Sequence, residues 1–183
     1  MSAIDRLITN YSRQMRLPWS ANVSGKQRVW FAVYPAAEER RVRARLPQFE
    51  ELTLGASHGW STVDLTGLLP EYLVAHIYRE AIFQNPQHLK AGTQLEVRAA
   101  ALVDAACAQS DESSVVALTG LASLFDFMRV SSLIERVEDS VRGRLLVLFP
   151  GEYQGNLYRF MDARDGFNYM ATPITCTESF LTP

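Results

Sequence analysis

A chain of 183 residues, 48% hydrophobic and 21% charged, has the size and make-up of one globular α/β domain. Its net charge of −2 and pI near 5.9 argue against direct nucleic-acid binding, which leaves a basic footprint. No apolar run approaches ~20 residues and no charged-then-apolar leader is seen, so membrane and secreted classes are set aside.

Ile4, Leu7, Ile8 and Tyr11 recur at helical spacing behind Ser2. Asp5 suits the first turn, and Pro18 ends the pattern. Residues 29–34, Val-Trp-Phe-Ala-Val-Tyr, are apolar on both faces and predict a buried strand closed by Pro35. A charged helix follows over 38–54, with Val42, Leu46, Phe49 and Leu52 as its apolar stripe. Pro47 would kink it or divide it in two. Arg40, Arg41, Arg43 and Arg45 cluster beside that stripe, as a solvated face paired with Glu38, Glu39, Glu50 and Glu51 or as a partner-facing patch.

Residues 60–65 predict a second strand. Asp64 at its end is a candidate for capping the helix that begins near Pro70 and carries Tyr72, His76 and Phe83. An alanine-rich helix over 95–108, a third strand over 114–120 and a helix over 130–139 complete the run towards a fourth strand, 144–149. That strand, Arg-Leu-Leu-Val-Leu-Phe, reads as central and as ending at a Pro150-Gly151 turn. Strands alternating with helices predict an α/β fold with a mostly parallel sheet and helices on both faces. Segments 157–160 and 169–174 would add a short C-terminal hairpin. The expectation is a single domain over 1–183. Cys107 and Cys176 lack a CxxC neighbour and read as free thiols of a cytoplasmic protein.

The densest chemistry lies after the fourth strand. Glu152 and Tyr153 follow it, Gln154-Gly155-Asn156 turns the chain, and Tyr158 and Arg159 sit in the next short strand. Asp162-Ala163-Arg164-Asp165-Gly166 then forms a charged turn, in which Gly166 is expected at positive φ and Asp165 and Asn168 bonded to local backbone. The pattern FPGEYxxNxYRxxDARDGxNYxAxPI resembles the C-terminal signature of the BrxB family of BREX phage-defence systems. The resemblance is dense over about thirty residues and weaker elsewhere. It implies a component of a multi-protein anti-phage assembly whose partner is the PglZ protein, a member of the alkaline-phosphatase superfamily. No catalytic mechanism comes with it.

The layout is like that of the P-loop ATPases, but the P-loop is absent. The first strand ends Tyr34-Pro35-Ala36-Ala37-Glu38, with no glycine and a carboxylate where phosphate would sit. His58, His76 and His88 share no metal spacing, and no nucleophile elbow occurs. The sequence therefore nominates no catalytic, nucleotide-binding or metal residue and no cofactor. Two classes of function remain. One is a non-catalytic assembly module contacting its partner through Glu152, Tyr153, Tyr158, Arg159, Arg164 and Asp165. The other is an enzyme or a metal- or nucleotide-binding protein using Asp126, Glu152, Asp162 and Asp165.

Overall fold

A computed structural model of the chain describes residues 1–20, 22–86, 89 and 92–177. Its strands are β1 (Val29–Tyr34), β2 (Gly59–Asp64), β3 (Ser114–Thr119), β4 (Arg144–Gln154), β5 (Leu157–Phe160), β6 (Phe167–Asn168) and β7 (Thr172–Ile174). Five of them form a path in the order β2-β3-β4-β1-β7, every neighbouring pair parallel. This order is compatible with the P-loop ATPase layout. The apolar runs read from the sequence are central because they are covered on both sides. All of β1 is buried, as are the first eight residues of β4.

Alternation along the strands sorts the core into two layers. Phe31, Val33, Val116, Leu118, Val147 and Phe149 face α4 (Leu68–Ala75), α6 (Gly92–Gln109) and α7 (Val130–Val137). Trp30, Ala32, Val115, Leu146 and Leu148 face α1 (Ala3–Met15), α2 (Glu39–Ala44) and α3 (Leu46–Gly55). Helix α1 starts where the sequence signals it. Ser2 Oγ accepts from the Asp5 amide at 3.2 Å, and the Asp5 carboxylate accepts from the Ser2 amide at 3.0 Å. That capping box sets the phase in which Ile4, Leu7, Tyr11 and Met15 are buried. Burial of a side chain such as Leu7 stabilises by roughly 1.5–3 kcal/mol.

The stretch over 38–54 is two helices, α2 and α3, the division Pro47 predicts, with Pro47 in the first turn of the second, where its missing N–H costs nothing. Other boundaries differ from expectation for identifiable reasons. The helix from Pro70 stops at His76, whose backbone is extended, and resumes as α5 (Arg79–Gln84). Helix α7 ends at Val137 and tightens into a 3₁₀ turn, Glu138–Ser140.

The largest difference is at Pro150-Gly151. These residues continue β4 instead of ending it. Pro150 lies opposite Tyr34 of β1, and its carbonyl accepts from the Met161 amide at 2.8 Å, so the residue stays bonded within the sheet although it has no N–H to give. The hairpin is therefore β4–β5, extended by β6, while β7 pairs with β1 at the far edge. Among the described residues no helix is long and apolar enough to cross a membrane.

Candidate functional site

The signature folds into a hairpin, a turn and a strand backed by aromatic rings. In the hairpin Gly151 lies opposite Phe160, Glu152 opposite Arg159, Tyr153 opposite Tyr158 and Gln154 opposite Leu157. The two-residue loop Gly155-Asn156 has φ of +58° and +66°, the twist that tight hairpins require. Period-two alternation then sends Tyr158 and Phe160 inward and Leu157 and Arg159 outward.

Tyr158 is fully buried, a correction to its place among the expected contact residues. Its ring lies 4.5 Å from Phe31 and 5.8 Å from Phe167, and its hydroxyl donates to the Ala171 carbonyl at 3.1 Å. Burial pushes its phenol well above the ordinary range. Tyr169 donates its hydroxyl to the Glu138 carboxylate, tying the segment before β7 to the end of α7.

The other expected contact residues stay at the surface. Tyr153 is half-buried, its ring 4.6 Å from Tyr158 and its hydroxyl donating to Asn156 Oδ1 at 3.0 Å. Glu152 and Arg159 face each other at 3.9 Å with side chains 69% and 53% exposed, so their attraction is largely screened. Arg164 and Asp165 are exposed and make no ion pair among the described residues.

Two expectations about the turn change. Gly166 is not at positive φ. A Cβ there would lie 3.2 Å from the Tyr158 carbonyl oxygen, so close approach is what favours glycine. Asp165 and Asn168 make no side-chain bond to local backbone among the described residues. The positive φ falls instead on Gly155, Asn156 and Met161.

Beside the turn lies an open groove of about 700 Å³. Arg164, Asp165 and Phe167 form one side, and Phe125, Phe127 and Arg129, leading into α7, form the other. The sequence signals for this second wall were an irregular apolar stretch after β3 and an isolated basic residue, neither of which names a partner for the turn. Of the four carboxylates considered for metal binding, Asp126 and Asp165 line the groove, while Glu152 lies in the hairpin. Among the described residues no three His, Cys, Asp or Glu side chains gather closely enough to hold an ion.

The remaining sequence candidates are occupied locally. Arg41 pairs with Glu38, Arg43 with Asp64 and Arg45 with Asp5, each at 3.2 Å, so two of the three counter-charges come from outside the segment 38–54. Asp64 also accepts from the Thr66 amide at 2.9 Å, closing a turn instead of capping a helix. At the end of β1, Tyr34 donates to Glu39 Oε2 at 2.6 Å above a 3₁₀ turn, Ala36–Glu38. His76 accepts from the Tyr78 amide through Nδ1 at 3.2 Å, and His88 lies outside the described residues.

These elements define a mixed α/β protein with a hairpin and a charged turn held against its central strand by buried aromatics. A family model described as BREX protein BrxB matches residues 63–174, from the last two residues of β2 to the end of β7. The chain belongs to the BrxB family, and is thus a component of BREX phage defence. Comparison with curated proteins and with solved structures gives no match.

Proposed function

We propose that the protein is a non-catalytic assembly component of a cytoplasmic BREX complex, and that it holds a PglZ-like partner of the alkaline-phosphatase superfamily. The observation that supports this most is the pairing of exposure with rigidity in one segment. Tyr153, Arg159, Glu152, Arg164 and Asp165 stand at the surface on backbone fixed by the buried Tyr158, Phe160 and Tyr169. Contact residues ordered before binding lose little entropy on association. Tyr and Arg are also the types most enriched among residues that dominate interfaces. The adjoining groove, lined by both aromatic and charged side chains, offers a recess into which a partner segment can seat.

Arg159→Glu combined with Tyr153→Ala tests the reading. Both side chains lie outside the core, so the variant folds with a circular dichroism spectrum like the parent. Losing two contacts of ~2 kcal/mol each weakens binding well over a hundredfold, and size-exclusion co-elution with the purified PglZ-like protein is lost. Unchanged co-elution of a folded variant moves the interface elsewhere, first to the face of α2.

A further inference from the structure

At the amino ends of β1, β2 and β4, on the α1 and α3 face, lies a cluster unrelated to the hairpin. Arg144 opens β4 and is only 6% exposed. Its Nη1 donates to the neighbouring Gly143 carbonyl at 2.9 Å and its Nη2 reaches the Ser20 carbonyl at 3.4 Å, but its Nε is buried with no acceptor among the described residues. No carboxylate pairs with it among the described residues. The charge acting on it is a second guanidinium, Arg28, whose own Nη1 donates to the Val141 carbonyl at 2.8 Å. Burial first, and Arg28 second, therefore lower its affinity for its proton.

Three rings complete the cluster. The Arg144 guanidinium lies 4.7 Å from the Trp19 ring and 5.7 Å from that of Trp30. Trp19 in turn stacks flat on His58, with centroids 3.8 Å apart. Aromatic faces offset part of the cost of burying a cation, but they accept nothing from an N–H directed elsewhere. The Trp19 indole Nε1 is a second buried donor without an acceptor among the described residues. Among the described residues, one stack thus holds a desolvated cation lacking a counter-charge and two donors lacking acceptors. Buried charges in proteins are ordinarily paired and hydrogen-bonded.

We infer that Arg144 and Trp19 form a binding site for a single oxyanion, a phosphate or carboxylate group, accepting from Arg144 Nε and Trp19 Nε1. Guanidinium is suited to such a group by charge and by its planar fork. Trp19 is only half-buried, so one side of the site lies near solvent. The site is separate from the hairpin, and its occupancy does not depend on the partner.

The test uses the full chain and three sodium salts, phosphate, acetate and chloride, at equal ionic strength and pH 7. Two of the three tryptophans touch Arg144, so their emission reports on the site. Phosphate or acetate should change the emission saturably and raise the melting temperature as ligand binding to the folded state does. The salt that acts identifies the oxyanion class. Arg144→Met should abolish both responses, and Trp19→Phe, which keeps a stacking ring but loses the donor, should raise the midpoint at least threefold. If Arg144→Met does not fold, the Trp19→Phe midpoint decides alone. Responses that follow ionic strength equally in chloride, that persist in Arg144→Met, or that keep the parent midpoint in Trp19→Phe would overturn the site.

Discussion

Gly151→Ala probes the junction on which the hairpin depends. A Cβ at Gly151 would stand 2.1 Å from the Arg159 carbonyl oxygen and 2.8 Å from Phe149 Cε1, whereas ordinary contact begins at 3.4 Å. The first neighbour is backbone in the paired strand and the second is a buried ring, so neither retreats without opening the β4–β5 ladder. Overpacking of this kind costs about 2–3 kcal/mol. For a chain of this length that lowers the melting temperature by roughly 5–10 °C. Gly155→Ala is the internal comparison, because its Cβ meets nothing within 4 Å and only the positive φ is strained, at about 1 kcal/mol. Urea unfolding followed by circular dichroism, with thermal melts beside it, measures both. A Gly151→Ala cost below about 0.5 kcal/mol, or a larger cost for Gly155→Ala, would refute the close-approach argument.

Other outcomes follow from single contacts. Thr53 Oγ1 donates to the Phe49 carbonyl at 2.7 Å and so accepts from the buried Tyr11 hydroxyl; Thr53→Val should cost about 1–3 kcal/mol. Adding Tyr11→Phe should recover most of it, and a double variant as unstable as the single one would contradict the pairing. Burial holds Tyr11, Tyr34, Tyr158 and Tyr169 neutral in the folded state and raises Cys176 from its ordinary value of 9.0 to about 11. Unfolding above these ordinary values releases protons, so stability present below pH 9 should fall as pH rises from 9 to 11; a flat or rising curve would count against it. Cys176 should accordingly alkylate with iodoacetamide at pH 8 about 100-fold more slowly than a thiol of ordinary pKa. Calorimetry should detect no ATP binding with magnesium, and a micromolar constant lost on altering residues 35–38 would reverse that expectation.

The central strands were legible because burial on both faces leaves an uninterrupted apolar run, as in β1 and the first half of β4. Alternation also marked β5 as a strand, but not which of its faces turns inward. That choice follows from its register with β4, and it moved Tyr158 from the surface into the core. Pro150-Gly151 reads locally as a stop, and only the positions of β1 and Met161 show why a strand passes through it. The same limit applies to charge. Glu38 is a local partner for Arg41, whereas Asp64 and Asp5 reach Arg43 and Arg45 only through the fold. The groove escaped notice because its walls are about forty residues apart in sequence, with no shared motif.

Hydrogen–deuterium exchange on the chain alone and with its PglZ-like partner measures the proposed contact most directly. The hairpin amides from Glu152 to Arg159 and those of the turn through Gly166 should exchange more slowly in the complex, together with Phe125 to Arg129 across the groove. Protection confined to residues 38–45, with the hairpin and turn exchanging as in the free protein, would contradict the account.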